Sequence, residues 1–141
     1  MNSAFRIWAS LVSFAIIVQV GLAAYGAFNA IDKSDDSGTI GKNAVSDGFI
    51  AHTVLGYAIV AAAIVLLALA FATRRAVRSR LRSSGLIFGL LVVQILLAGL
   101  GDAVPWLGIL HGMNALAIAG FAGTLAGREW AAYRDAARTV P

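Results

Sequence analysis

The sequence predicts an all-α integral membrane four-helix bundle made of two helical hairpins repeated in parallel, and three observations predict it. Of the 141 residues 60% are hydrophobic and only 13% charged, about half the share of charge that clothes a soluble domain of this size. Four apolar runs, each near the roughly 20 residues a helix needs to cross a bilayer core, are separated by nearly all of the charge. Short motifs recur between the first and third runs, and again between the second and fourth. A single domain over 1–141 accounts for the length. The absence of Cys excludes disulfides, thiolate metal sites, iron–sulfur clusters and Cys nucleophiles together.

The first span covers about 5–28 and carries no charge after Arg6. It resembles a signal peptide in its Arg, its apolar stretch and the small residues from Ala23 to Ala27. The run exceeds the roughly 7–15 apolar residues of a signal, however, so it reads as a retained helix. The second span, about 48–72, is uncharged throughout, and the third covers about 85–101. The fourth covers about 106–127 and follows Pro105, a favourable residue at a helix start. Long apolar runs in lipid are helical because every backbone amide and carbonyl has to be paired within the segment. The tail carrying Arg128, Trp130, Tyr133, Arg134 and Arg138 reads as an amphipathic continuation lying on the membrane surface, or as a frayed end.

Charge assigns the sides. Arg74, Arg75, Arg78, Arg80 and Arg82 crowd the connection between the second and third spans, which predicts a cytoplasmic connection with both termini on the same side. Asp32, Asp35, Asp36, Asp47 and Asp102, against Lys33 and Lys42, make the outer face mildly acidic. Trp8 and Trp130 are expected near the inner interface and Trp106 near the outer one. The formal charge of +4 is therefore topology rather than a nucleic-acid footprint, although the arginine cluster is also suited to anionic lipid headgroups. Asp32, Ser34, Asp36 and Gly38 faintly follow a calcium-loop pattern, but the Gly is one place late and no Glu closes the loop, so a flexible acidic loop is expected. Usage rich in Ala, Arg and Gly fits a bacterial source with a GC-rich genome, and the four spans then predict a multi-pass protein of the bacterial plasma membrane.

The repeat supplies the candidate site. Val18-Gln19-Val20-Gly21-Leu22-Ala23-Ala24-Tyr25-Gly26 aligns with Val93-Gln94-Ile95-Leu96-Leu97-Ala98-Gly99-Leu100-Gly101, so each span has a Gln, a small residue four later and a Gly seven later on one face. The second and fourth spans share a His and a later Ala-Ile, from His52 to Ala58-Ile59 and from His111 to Ala117-Ile118. Both His are expected at one depth, roughly 6–8 Å below the outer surface, on diagonal helices of the bundle. His52 and His111 are thus candidate axial ligands to one haem iron. Gly48 and Gly56 around His52, and Gly108, Gly112 and Ala115 around His111, leave room for a porphyrin. Two other readings stay open: interhelical bonding without a cofactor, with the glycines serving close packing as Gly85 and Gly89 also would, and other metal or proton chemistry. Gln19 and Gln94 are expected to bond to each other, to a cofactor edge, or across helices to fix register. Asn114 is a candidate to orient the His111 imidazole.

These residues resemble one half of the haem A synthase family and small uncharacterised four-helix membrane proteins of bacteria. The resemblance covers nearly the whole chain. It rests on Gln19-Val20-Gly21-Leu22, on His52 followed by Val54-Leu55-Gly56-Tyr57, on Gln94-Ile95-Leu96-Leu97-Ala98-Gly99, and on Pro105-Trp106 leading to Leu110-His111. It implies a duplicated bundle with His52 and His111 at the haem-ligand positions. The chain departs from the family at Phe49, where an acidic residue stands three before the His, in lacking a Cys pair, and in supplying one half only. What the resemblance implies is then the bundle and a haem b site without the family's oxidation chemistry.

The expected function is a membrane haem b protein serving electron transfer or haem sensing, more a binding protein than an enzyme. The alternative is a cofactor-free accessory subunit of a larger membrane complex, such as a transporter or respiratory assembly, or a homo-oligomer. No phosphate loop, carboxylate pair or Ser/His/Asp set is present.

Overall fold

The computed structural model describes residues 2–34, 38–101 and 103–138. Four helices, α1 (Asn2–Asp32), α2 (Lys42–Ala72), α3 (Arg78–Gly101) and α4 (Leu107–Arg138), make up the fold, with no strand among the described residues. All four are long and apolar enough to cross a membrane, and the chain is a multi-pass membrane protein. Asp35, Asp36 and Asp102 of the expected acidic face, and with Asp36 the calcium-like pattern, lie outside the described residues.

Each helix outruns its apolar span. Helix α2 starts six residues early, at Lys42, and α3 starts within the arginine cluster, because charged residues at membrane boundaries still make good helix formers. Thr73 ends α2: its backbone N–H and its hydroxyl both turn back to the carbonyls of Leu69 and Ala70. Helix α4 runs unbroken to Arg138. Its last turns are held to α1, where the Arg6 guanidinium lies 4.6 Å from the Trp130 ring centre and 3.7 Å from that of Tyr133, and the Trp130 indole donates to Ser10 Oγ at 2.9 Å. The tail is therefore a helical continuation of α4, held to α1 at Trp130 and Tyr133 and exposed beyond them.

Each helix packs against two neighbours, leaving α1 and α3 as one diagonal and α2 and α4 as the other. The buried layers obey the repeat. Phe5, Ala9, Val12 and Ile16 of α1 recur 75 positions later as Arg80, Ser84, Ile87 and Leu91 of α3, all buried. Ile59, Ala63 and Leu66 of α2 recur 59 positions later as Ile118, Ala122 and Leu125 of α4. The offset is shorter in the returning helices because the second hairpin has the shorter connection.

The core fills the half of the bundle nearer the chain ends, which is also the arginine-rich end. Trp8 belongs to this half; its indole donates to the carbonyl of Ala62 at 2.8 Å, so the ring is turned into the bundle, and Trp106 is the most exposed of the three Trp at 61%. Toward the opposite end the first hairpin stays closed. A Cβ on Gly48 would lie 2.7 Å from the carbonyl oxygen of Gly26, and one on Gly26 would lie 2.9 Å from the Phe49 ring. Gly48 is thus a helix-contact residue rather than a space beside His52. Gly85 and Gly89 meet nothing within 4 Å of a built Cβ and do not serve close packing here. The two hairpins separate above the core, and a cavity opens between them.

Candidate functional site

The site is assembled twice by the same short rule: a Gln on the first helix of a hairpin faces a His on the second. In the first hairpin Gln19 Nε2 donates to the carbonyl of His52 at 2.8 Å, and His52 Nδ1 lies 3.1 Å from the carbonyl of Gln19. In the second, Gln94 Nε2 donates to the carbonyl of His111 at 3.0 Å, and His111 Nδ1 lies 3.2 Å from the carbonyl of Gln94. The two Gln bond neither to each other nor across the diagonal. They tie each hairpin to itself, the reading in which a polar pair fixes register.

This reciprocity sets the chemistry of the imidazoles. A backbone carbonyl can only accept, so Nδ1 carries the proton in both rings, and in the neutral imidazole Nε2 holds the free lone pair. Orienting a metal-binding His through the opposite ring nitrogen is the usual device for presenting a ligand. The ring centres of His52 and His111 are 6.4 Å apart with planes tilted by 56°. Two imidazoles that share one metal at about 2.0–2.1 Å from each nitrogen have ring centres roughly 6 Å apart. Phe49 packs its ring edge-on to His52 with centres 6.0 Å apart.

Both His line a cavity of about 290 Å³ to which all four helices contribute. The Gln–His bonds close it within each hairpin, and its flanks lie between hairpins. Val20 and Ala23 of α1 and Gly112 and Leu116 of α4, one neighbouring pair of helices, line it together with Thr53 and Tyr57 of α2 and Ile95 and Ala98 of α3, the other pair. Its floor is Ile16, Ile59, Leu91 and Ile118, the last core layer. One imidazole reaches in from each hairpin, and the walls are otherwise mostly apolar, as in small-molecule and cofactor sites generally.

Of the residues singled out around the two His in the sequence, His52, His111, Gln19, Gln94, Gly56, Gly112 and Ala115 line this cavity. Gly56 has a local reason: a Cβ there would come within 3.1 Å of Gln19 Nε2, crowding the amide that reaches the His52 carbonyl. Asn114 stands behind the site, its Nδ2 donating to Gln94 Oε1 at 2.7 Å and to the Leu90 carbonyl at 2.9 Å. It positions Gln94 and does not touch the imidazole. Gly108 is exposed and contributes nothing to the cavity.

The two halves are not equivalent. Leu55 occupies in α2 the place of Asn114 in α4, and Gln19 Oε1 is left buried without a partner. The sequence reading missed a second polar cluster at the arginine-rich end. There Arg80 binds Glu129 through Nε–Oε1 at 2.8 Å and Nη2–Oε2 at 2.5 Å, and reaches Asn2 Oδ1 at 2.8 Å. The signal was in the repeat, since Arg80 and Glu129 fall where the first hairpin has Phe5 and Ala70. Among the described residues no group of three or more His, Cys, Asp or Glu could hold a metal ion, so any metal bound between the imidazoles has to bring further ligands of its own. Compared with known protein families, characterised proteins and solved structures, the chain matches none.

Proposed function

We propose that this chain is a membrane protein that binds one haem b between its two hairpins, with His52 and His111 as axial ligands, and serves as an electron-transfer or haem-sensing subunit. The observation that carries the reading is the pair of imidazoles, one from each hairpin. Their Nδ1 protons are committed to backbone carbonyls, and their ring centres stand 6.4 Å apart in an apolar cavity. A porphyrin would bring four nitrogens of its own, which answers the shortage of protein ligands. Small residues on the cavity walls, Ala23, Gly56, Ala98 and Gly112, leave the space. A haem held by these two His would supply one-electron transfer and would disfavour oxygen activation.

The chain's own residues do the rest. Gln19 and Gln94 hold the ring orientation, Asn114 fixes Gln94, and the core layer below excludes water. The resemblance to half of a haem A synthase points the same way. The test is the visible spectrum of detergent-purified protein expressed with ample haem, oxidised and then dithionite-reduced. Sharp reduced bands of a six-coordinate b-type haem are expected. A featureless spectrum would sink the reading and favour an accessory subunit that co-purifies with a stoichiometric partner.

We further propose that the membrane is a bacterial plasma membrane, with the arginine-rich end in the cytoplasm, because basic residues are retained on that side. A chain without Cys makes the test simple. Impermeant maleimide applied to intact cells should label a Ser46→Cys variant and spare Ser79→Cys, and the reverse pattern would invert the orientation.

A further inference from the structure

Arg74, Arg75, Arg78 and Arg82 line one hollow of about 400 Å³ at the connection from α2 to α3, with Leu81 as its apolar wall. Among the described residues no acidic side chain lines this hollow. Arg80, the remaining arginine of the cluster, is turned into the bundle and taken by Glu129. Arg74 donates to the Phe71 carbonyl at 2.8 Å and lies 3.6 Å from the centre of the Phe71 ring. Among the described residues the guanidinium groups of Arg75, Arg78 and Arg82 have no hydrogen-bond or ion-pair partner.

The backbone holds these charges together. Thr73 is buried and tied to Leu69 and Ala70, and the amides of Ala76 and Val77 both return to the Thr73 carbonyl at 3.0 Å. Helix α3 begins at the hollow with no acidic residue in its first turn, so the positive end of its dipole adds to the same field. A topology signal requires arginines only somewhere on this side of the membrane. Convergence on one hollow, with like charges held close and uncompensated, is an arrangement that a bound anion relieves.

The surroundings narrow the anion. Phe71 is 53% exposed beside Arg74 at the end of an apolar helix, so the hollow opens where hydrocarbon gives way to headgroups. A ligand there meets guanidinium groups on one side and apolar surface on the other. We propose that this hollow binds the phosphate of an anionic phospholipid from the adjoining leaflet, with Arg75, Arg78 and Arg82 on the phosphate and Leu81 and Phe71 against its apolar part. This inference does not depend on haem.

The experiment is native mass spectrometry of the full-length protein, released from bilayers of equal phosphatidylglycerol and phosphatidylcholine, counting the lipids retained. The wild type is expected to retain phosphatidylglycerol in preference, and Arg78→Gln alone should lower that preference about fivefold. The variant Arg75→Gln/Arg78→Gln/Arg82→Gln should lose it. Removing the same charge at Arg128, Arg134 and Arg138 should leave it intact. An equal loss in both triple variants would overturn the site in favour of general surface attraction, and the single variant keeps the test decisive if a triple variant fails to fold. No preference in the wild type would also overturn it. Displacement of the lipid by millimolar inorganic phosphate would reassign the hollow to free phosphate.

Discussion

Replacing His52 or His111 with alanine is expected to abolish the six-coordinate b-type spectrum and to lower haem per purified chain by about tenfold or more, the loss of roughly 1.4 kcal/mol or more of binding free energy. Each variant removes one of the two proposed protein ligands, and the chain has no third His to replace it. The bundle itself should survive. In either variant the Gln amide still finds its acceptor, because that acceptor is the backbone carbonyl of residue 52 or 111 rather than the imidazole. Helix content and monodispersity should therefore match the wild type while the colour is lost. Thermal melting gives an independent readout. A ligand at a hundred times its dissociation constant stabilises the folded state by about 2.7 kcal/mol, so added haem should raise the melting temperature of the wild type and leave both variants unmoved. Haem retained at full occupancy in His52→Ala/His111→Ala would remove these residues from the site.

Much of this arrangement was legible in the sequence, and what was not failed for identifiable reasons. The four spans follow from composition, because apolar runs of this length have no alternative in lipid. Their pairing follows from the Gln and His motifs, and the buried layers of α1 and α3 repeat at the same 75-residue offset as those motifs. The partners of the two Gln were not legible. A side-chain amide reaching a backbone carbonyl depends on how deep and how close two helices cross, and the atom it meets carries no residue identity. Glycine was misread for a related reason. Gly48 and Gly56 look alike beside His52, yet one touches the Gly26 backbone and the other clears a path for an amide, and only the helix crossing tells them apart. Helix ends were missed by several residues because hydropathy marks where lipid begins, not where the helix stops. Arg80 was read with its neighbours as a topology charge, although its repeat partner Phe5 is a core residue.

That buried ion pair leads to the second large effect. Arg80→Met alone and Glu129→Leu alone are each expected to destabilise the bundle by about 3–5 kcal/mol, and the two together to restore stability to near the wild-type value or above it. The side chains are only 7% and 11% exposed. Either single change strands a charge among Phe5, Ala9 and the ends of α3 and α4, without the partner that made its burial tolerable. The double change leaves no charge to strand and keeps similar volume. The first hairpin supplies the precedent, since Phe5 and Ala70 fill the matching layer with no charge at all. Arg80 also reaches Asn2 Oδ1 and sits 4.7 Å from the Phe5 ring centre. Part of the single-variant loss should therefore persist in the Arg80→Met background and be absent from Glu129→Leu. Unfolding of all four proteins in mixed micelles closes the double-mutant cycle. A double variant whose loss equals the sum of the single losses would show that the two charges do not depend on each other. In that case the pair would not be what fixes α3 to α4 at this end, and the core layer of Ile87, Leu91, Ala122 and Leu125 would have to hold the register by packing alone.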